Sequence, residues 1–331
     1  MSQKNETTIL ILSLLITGGL VGGGFWWFTS KSGVNINPNN ISNSPSPGSE
    51  SNVQTIAQVQ NIPKGKFFYG GSTTWATIRK EVDSAINIVA PQFQLIYKDP
   101  PQIAPSSDTG ITMLIDNQLD FAQSSFPVPN KYYELAKNKG FTLKEIPVAI
   151  DAIAIVVHPS LNIKGLTIQQ VDDIYNGKVR NWQDVGGPNL IINPYSKIKD
   201  SPSFQKFAST TTEALRLLAN DPGGIYKTSA PLAVFQCNVK TVPLADNKSG
   251  KTDFIPPYQE PFIPLSECPN KRNKLNFEAF KNNTYPNTRR LFVVVKKDGQ
   301  LAEQAGESYA KMLLTDQGQE LIEKAGFVRI R

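Results

Sequence analysis

From about Asn61 onward, short apolar runs alternate with segments in which apolar residues recur every three or four positions. The first pattern is typical of buried strands and the second of amphipathic helices. Their regular alternation favours an α/β architecture with mainly parallel strand pairing. The predicted strands include KFFYGG, FQLIYKD, LDFAQSS, EIPVAIDAIAIVVHP, NLIINPYS, VKTVPL and TRRLFVVVKK. The predicted helices include STTWATIRKEVDSAI, SDTGITMLIDNQ, KYYELAKNKG, TIQQVDDIYNGK and TTEALRLLAND.

Two of the apolar segments, 145–159 and 288–297, are unusually long for single strands. In a folded region of about 270 residues, such segments could cross between two lobes. The C-terminal stretch QLAEQAGESYAKMLLTDQGQELIEKAG is predicted to be helical, with an interruption near Thr315 to Gly318.

The first 60 residues have a different composition. Ile9–Phe28 carries no formal charge, is about as long as a helix that crosses a bilayer, and ends in two tryptophans that suit the membrane interface. We predict a transmembrane anchor within residues 1–29, with a cleaved signal segment as the alternative. Residues 30–60 are rich in Asn, Ser, Pro and Gly, which predicts a disordered linker. The folded domain is then expected at 61–331, on the periplasmic or extracellular face of the inner or plasma membrane.

Charge and chemistry exclude several classes of function. The net charge is +6, but the basic residues are scattered along the chain, so no nucleic-acid partner is predicted. A mild positive field suits recruitment of a small anion. The single histidine, His158, is expected in a loop, and no metal-ligand spacing or nucleophile elbow is present. The sequence therefore predicts no metal, no cofactor and no enzymatic activity.

The chain contains two cysteines, Cys237 and Cys268, both in its distal half. As a disulfide they would close a loop of about 30 residues and place the domain in an oxidising compartment. The alternative is two unrelated buried thiols.

Three predicted strand-to-helix loops share one chemistry. They are Gly71–Thr74, Ser106–Gly110 and Ser124–Ser125, and each offers hydroxyls and free backbone N–H groups near a helix N-terminus. Ligand sites in open α/β sheets lie at the carboxyl ends of strands, where such loops begin. Helix capping explains any one of these loops, whereas the three together indicate an oxyanion site. A fourth candidate, Thr210 with Glu213, has the spacing of a capping box.

These residues carry a resemblance. From Phe68 to Arg331 the chain resembles the phosphate-binding proteins of ABC phosphate importers, and most of all their cyanobacterial branch. The matching stretches are GSTT, SSDTGITMLIDNQLDFAQSSFPV, IPVAIDAIAIVVHPSLNIKGLT, DIYNGKVRNWQDVGGPN, STTTEALRLLANDPGGIY, APLAVFQCNVKTVPL, PPYQEPFIPLSECPNKRN, YPNTRRLFVVVK and TDQGQELIEKAGFVRIR. The resemblance implies a two-lobed, type II periplasmic-binding-protein fold that closes on a dehydrated oxyanion. Lobe 1 would comprise about 61–150 and 290–331, and lobe 2 about 151–289.

Position by position, Ser72 and Thr73 match the family's first anion-binding loop and Ser107 matches the second. Ser125 stands in the third loop, where well-known members have an aspartate that accepts a proton from hydrogen phosphate. Asp108 is expected to serve as a helix cap instead. The resemblance also predicts that Arg289 and its neighbour Arg290 belong to a structural ion pair beside the interlobe crossing.

The largest departure from the family lies between Asn193 and Phe207, where its usual arginine and glycine-containing loop are missing. Lys197 or Lys199 could supply the charge, although lysine cannot copy the planar fork of arginine. Ser201 or Ser203 could supply the hydroxyls of the second lobe. The predicted ligand-binding set is Ser72, Thr73, Ser107, Ser125, Lys197 and Ser201.

The sequence thus predicts an extracytoplasmic binding protein that delivers inorganic phosphate, or a similar oxyanion, to ABC permease subunits. An alternative is a membrane-anchored sensor or interaction paralogue that has lost high-affinity phosphate binding. A phosphate-ester hydrolase is the third possibility, and nothing in the sequence isolates the carboxylate pair that it needs.

Overall fold

The computed structural model describes residues 54–199, 201–246 and 253–330. The predicted anchor and the linker up to residue 53 lie outside the described residues. Within the described part of the chain, no helix has the length and apolar character needed to cross a bilayer.

Eleven strands are present among the described residues. They are β1 (Gly65–Gly71), β2 (Phe93–Tyr97), β3 (Phe121–Ser124), β4 (Thr142–Val157), β5 (Leu166–Thr167), β6 (Asn193–Ser196), β7 (Lys206–Phe207), β8 (Gly224–Ser229), β9 (Lys240–Val242), β10 (Leu244–Ala245) and β11 (Thr288–Lys297).

The described α-helices alternate with these strands. They are α1 (Ala76–Val89), α2 (Ser107–Ile115), α3 (Asn130–Asn138), α4 (Ile168–Tyr175), α5 (Thr211–Leu218), α6 (Ala230–Ala233), α7 (Phe277–Lys281), α8 (Leu301–Leu313) and α9 (Asp316–Lys324). Short 3₁₀ turns occur at Ile56–Gln58, Thr73–Trp75, Trp182–Val185 and Leu265–Glu267.

The main sheet has the strand order β2-β1-β3-β11-β4-β8-β6-β7, and β9 also pairs with β4. The pairs β1–β2, β1–β3 and β6–β8 are parallel, which places the carboxyl ends of these strands together. The long strands β4 and β11 run antiparallel to each other and to their other neighbours. The expected mainly parallel pairing therefore holds within each half of the sheet but not at its centre.

Strand β4 connects the two halves of the molecule. Residues Thr142–Ala152 pair with β11, whereas Ile153–Val157 pair with β8. One hydrophobic core draws on residues 152–285 together with Val328, and we call this half the second lobe. The other cores draw on 56–149 and 291–327, and we call that half the first lobe.

Helix α1 shows how apolar spacing produces this packing. Its residues Ile78, Val82 and Ile86 recur every four positions, share one face, and are fully buried. The predicted C-terminal interruption is also present, because α8 ends at Leu313 and Thr315 caps α9 through the Gly318 N–H.

Two expectations from the sequence need correction. Residues 54–60 were assigned to the linker, but Ile56 is fully buried and its N–H donates to Gln317 Oε1 at 2.9 Å. Strand β8 was not predicted. The segment Pro222–Gly224 was interpreted only as the end of the preceding helix, whereas the strand begins at Gly224.

Cys237 and Cys268 form a disulfide, with their Cα atoms 5.7 Å apart. That separation lies within the usual range for disulfides. The bond closes a loop across 31 positions in the second lobe, next to the α6 region.

Candidate anion-binding site

Three buried serines from separate loops of the first lobe lie in hydrogen-bond contact. Ser72 follows β1, Ser125 follows β3 and Ser107 begins α2. Ser72 Oγ donates to Ser125 Oγ at 3.0 Å, and Ser107 Oγ lies 3.3 Å from Ser125 Oγ. The Ser125 N–H also donates to Ser107 Oγ at 3.0 Å. The three loops that the sequence singled out therefore converge, and we call this group the serine cluster.

Parallel pairing of β1 with β3 explains why two of these serines meet. Gly71 stands opposite Gln123, so the residues that follow each strand emerge at the same sheet edge. The Ser72 N–H donates to the Gln123 carbonyl at 2.8 Å, which fixes the first loop against the third.

Glycines bring the third serine into place. A Cβ added at Gly110 of α2 would stand 2.5 Å from Gly71 Cα, so the helix packs directly on the end of β1. Gly71 has φ +125° and also leaves no room for a side chain, because a Cβ there would lie 2.3 Å from the Gln123 carbonyl. The paired glycines that end β1 thus permit the close approach of Ser107.

Helix capping accounts for only part of the hydroxyl pattern. Ser72 Oγ accepts from the Thr74 N–H at 3.3 Å, so this serine caps the turn that follows it. Helix α2 is capped by Ser106, which exchanges hydrogen bonds with Thr109. Ser107 is therefore not needed as the cap, and its hydroxyl bonds within the serine cluster.

A partly buried hydrogen-bond network contacts the first loop. Arg79 Nη1 donates to Gln123 Oε1 at 2.9 Å and lies 3.5 Å from the Ser72 carbonyl oxygen. Gln123 Nε2 donates to the Tyr309 hydroxyl at 3.0 Å, and that hydroxyl donates to Asp83 Oδ1 at 2.9 Å. Burial raises the pKa of Asp83 to about 6, against the opposing effect of the tyrosine hydroxyls that donate to it.

A cation reaches the first lobe from the second. Lys197, on the loop after β6, donates from Nζ to Thr73 Oγ1 at 3.2 Å. Partial dehydration lowers the pKa of this ammonium, and the positive charge of Arg289 lowers it further. Of the two lysines that the sequence offered for this role, the structure thus brings Lys197 to the loop that follows β1.

Arg289 places a second cation beside the same loop. Its guanidinium donates to Asp151 Oδ2 from Nε at 3.0 Å and from Nη2 at 2.9 Å. Nη2 also lies 3.0 Å from Thr74 Oγ1. The ion pair predicted for Arg289 is confirmed, whereas Arg290 forms no ion pair among the described residues. The contact of Arg289 with the hydroxyl loop was not predicted. That contact depends on the crossing of β4 and β11, which local sequence does not reveal.

Asp151 is completely buried and accepts a further hydrogen bond from Ser229 Oγ at 2.7 Å. Burial raises its pKa, whereas Arg289 acts in the opposite direction. Its Oδ1 has no hydrogen-bond partner among the described residues. The site thus contains one carboxylate, which pairs with Arg289, and two cations, Arg289 and Lys197, so it carries a net positive charge when all three are ionised.

Other predicted polar residues serve their own loops. Ser201 Oγ lies 2.6 Å from the Ile198 carbonyl oxygen and 2.8 Å from Ser196 Oγ, so the structure does not bring it to the serine cluster. Asp108 Oδ1 accepts from the Tyr132 hydroxyl of α3 at 2.8 Å, so this carboxylate is bonded outside the serine cluster. Asp108 does not cap α2, as the sequence had suggested, because Ser106 does.

This fold and this site define a class of protein. The family model described as PBP superfamily domain matches residues 63–317, and the chain belongs to that superfamily. Among solved structures, the putative phosphate ABC transporter substrate-binding protein of Clostridium perfringens aligns with a TM-score of 0.60 at 18% identity. It covers 81% of this chain and 100% of its own. The ABC-type phosphate transport receptor of Vibrio cholerae gives the same TM-score and identity, over 80% of this chain and 100% of its own.

Two curated proteins are similar to this chain in sequence. The phosphate-binding protein PstS of Borreliella burgdorferi is 24% identical over 273 residues, which cover 79% of this chain and 89% of that protein. Protein SphX of Synechococcus elongatus is 29% identical over 127 residues, which cover 36% and 38% of the two chains. The resemblance to phosphate-binding proteins that the sequence carries is confirmed.

Proposed function

We propose that this chain is an extracytoplasmic binding protein that captures phosphate, or a similar oxyanion, between its two lobes and delivers it to an ABC permease. The observation that carries the proposal is the convergence of Ser72, Ser107 and Ser125 beside the cations Lys197 and Arg289. The names of the relatives from Borreliella burgdorferi and Clostridium perfringens support phosphate as the ligand.

Binding would proceed by exchange of hydrogen-bond partners. The serine hydroxyls, which bond to one another, can rotate toward an anion without movement of the backbone. Each hydrogen bond to a charged group contributes roughly 1.5 to 3 kcal/mol. Four such bonds, from Ser72, Thr73, Ser107 and Ser125, are comparable to the roughly 8 kcal/mol of a micromolar complex after the costs of ordering.

The polar lining also favours this function over the alternative of a sensor or interaction paralogue. Ser72, Ser107 and Ser125 are 4%, 3% and 6% exposed and lie in hydrogen-bond contact, so the hydroxyls that an anion site needs are present and grouped. A tether to the membrane through the N-terminal segment and a contact with permease subunits are further parts of the proposal. The Cys237–Cys268 disulfide supports the extracytoplasmic location.

Isothermal titration of the full chain with phosphate and with sulfate tests the proposal. We expect a micromolar or tighter complex with phosphate, and Ser125→Ala should weaken it by roughly 10- to 100-fold because one charge-assisted hydrogen bond is lost. Ser84→Ala is the matched control, since its hydroxyl lies on the exposed face of α1 and bonds to the Lys80 carbonyl. If neither phosphate nor sulfate gives heat at millimolar concentration, the proposed transport function is wrong.

A further inference from the structure

A cavity lined by polar and apolar residues lies at the second lobe and reaches Arg289. Its volume is about 270 Å³, and its lining includes the apolar side chains of Ile168 and Val171 at the start of α4. The lining also includes Thr228, near the end of β8, and the charged residues Lys227 and Asp172. Since a water molecule takes about 30 Å³ of liquid volume, the space is far larger than one ordered water needs.

Arg289 connects this cavity with the serine cluster. The same side chain lines the cavity and donates to Thr74 Oγ1 in the first anion-binding loop. Asp151 fixes the guanidinium by two hydrogen bonds, so its position between the two spaces is set by the buried strand β4. An anion that contacts Arg289 beside Thr74 would therefore lie at the border of the cavity.

The charges of the cavity identify what would fit there. The Lys227 ammonium lies 4.1 Å from the centroid of the Tyr175 ring, and Asp172 supplies a carboxylate of opposite charge. Burial lowers the pKa of Lys227, and Asp172 acts in the opposite direction. Because Lys227 is balanced by Asp172, and Arg289, which also lines the cavity, is balanced by Asp151, the cavity suits a neutral group that both donates and accepts hydrogen bonds, and not a second anion. Hydroxyl groups have that property.

We propose, on the basis of the function proposed above, that the cleft takes a phosphate monoester of a small polyol as well as inorganic phosphate. Its phosphoryl group contacts the serine cluster, Lys197 and Arg289. Its hydroxyl-bearing chain occupies the cavity, where Thr228, Lys227 and Asp172 bond to the hydroxyls while Ile168 and Val171 contact the carbon atoms.

Titration of the full chain with glycerol 3-phosphate and with inorganic phosphate tests this proposal. We expect the ester to bind at least tenfold more tightly than inorganic phosphate. Ile168→Trp should fill the cavity and abolish that preference, while inorganic phosphate binds within threefold of the unmodified chain. Gln169→Trp, on the exposed side of the same helix, is the matched control and should retain the preference.

A conservative second variant guards against a folding defect. Thr228→Val keeps the volume of the side chain and removes its hydroxyl, so ester binding should weaken severalfold with inorganic phosphate unaffected. If inorganic phosphate binds but the ester binds equally or more weakly, the proposal that the cavity binds a polyol chain is wrong. The proposed phosphate function is then unaffected. If neither ligand binds, both proposals fail.

Discussion

Arg289 and Asp151 form a hydrogen-bonded ion pair at the crossing of β11 and β4, with Nε 3.0 Å and Nη2 2.9 Å from the same carboxylate oxygen. The two residues also stand directly opposite each other in the antiparallel register of the two strands. The guanidinium therefore belongs both to the connection between the lobes and, through Thr74, to the candidate anion-binding loop.

Removal of Arg289 should affect stability as well as binding. Arg289→Ala leaves the fully buried Asp151 without its cation, and loss of one partner of a buried pair costs about 3 to 5 kcal/mol in free energy of unfolding. Because Arg289 is only partly buried, we expect about 3 kcal/mol, measured by urea denaturation. Arg290→Ala is the matched control, since its side chain is exposed and should change stability by less than about 0.5 kcal/mol. Equal effects of the two substitutions would contradict the importance of the pair.

Lys197 should strengthen anion binding through its charge. Lys197→Ala removes the ammonium that donates to Thr73 Oγ1, and we expect phosphate affinity to fall by roughly tenfold, with a weaker dependence on ionic strength. Titration at low and high salt measures both effects. Lys199→Ala removes a charge two positions away, on the exposed part of the same loop, and should leave affinity within about twofold. A larger effect of Lys199→Ala than of Lys197→Ala would mean that Lys199, and not Lys197, supplies the cation.

Ser125 should determine the discrimination between oxyanions. A serine hydroxyl both donates and accepts, whereas an ionised carboxylate only accepts and repels an anion that has no proton to donate. Ser125→Asp is therefore expected to weaken sulfate binding by at least tenfold more than it weakens hydrogen phosphate binding. Competition titrations with the two anions provide the measurement, and Ser125→Asn, which carries no charge, serves as the control. Parallel losses for both anions would show that Ser125 does not set the selectivity.

Asp83 should make stability depend on pH. Its pKa is about 6 in the folded state and 3.8 ordinarily, so the folded state binds the proton more strongly between these values. The free energy of unfolding contributed by this group is therefore largest below about pH 4 and decreases as pH rises to about 6. Relative to Asp83→Asn, which remains neutral, the unmodified chain should gain about 2 kcal/mol between about pH 7.5 and about pH 4.5.

Urea denaturation at several pH values measures this difference. Glu134→Gln, a substitution of an exposed carboxylate on α3, should show no such trend relative to the unmodified chain. A constant difference between the Asp83→Asn variant and the unmodified chain across this range would mean that Asp83 keeps its ordinary pKa.

Local pattern was sufficient for much of the fold. The spacing of Ile78, Val82 and Ile86 predicted the buried face of α1, and the unbroken apolar runs predicted β4 and β11. Hydroxyls placed after successive strands predicted where Ser72, Ser107 and Ser125 lie. These predictions succeeded because helix and strand periods, and the position of loops at strand ends, depend on residues close together in the chain.

The tertiary structure decided what the local pattern could not. Lys197 meets Thr73, 124 positions earlier, and Arg289 meets Thr74, 215 positions earlier, so both contacts depend on how β4 and β11 join the lobes. Ser201 looked equally suitable in the sequence, yet its hydroxyl bonds within its own loop. The sequence by itself thus determined the hydroxyl half of the site. The cations that complete it were assigned by long-range packing, because side chains distant in the chain are brought together only when the sheet has formed.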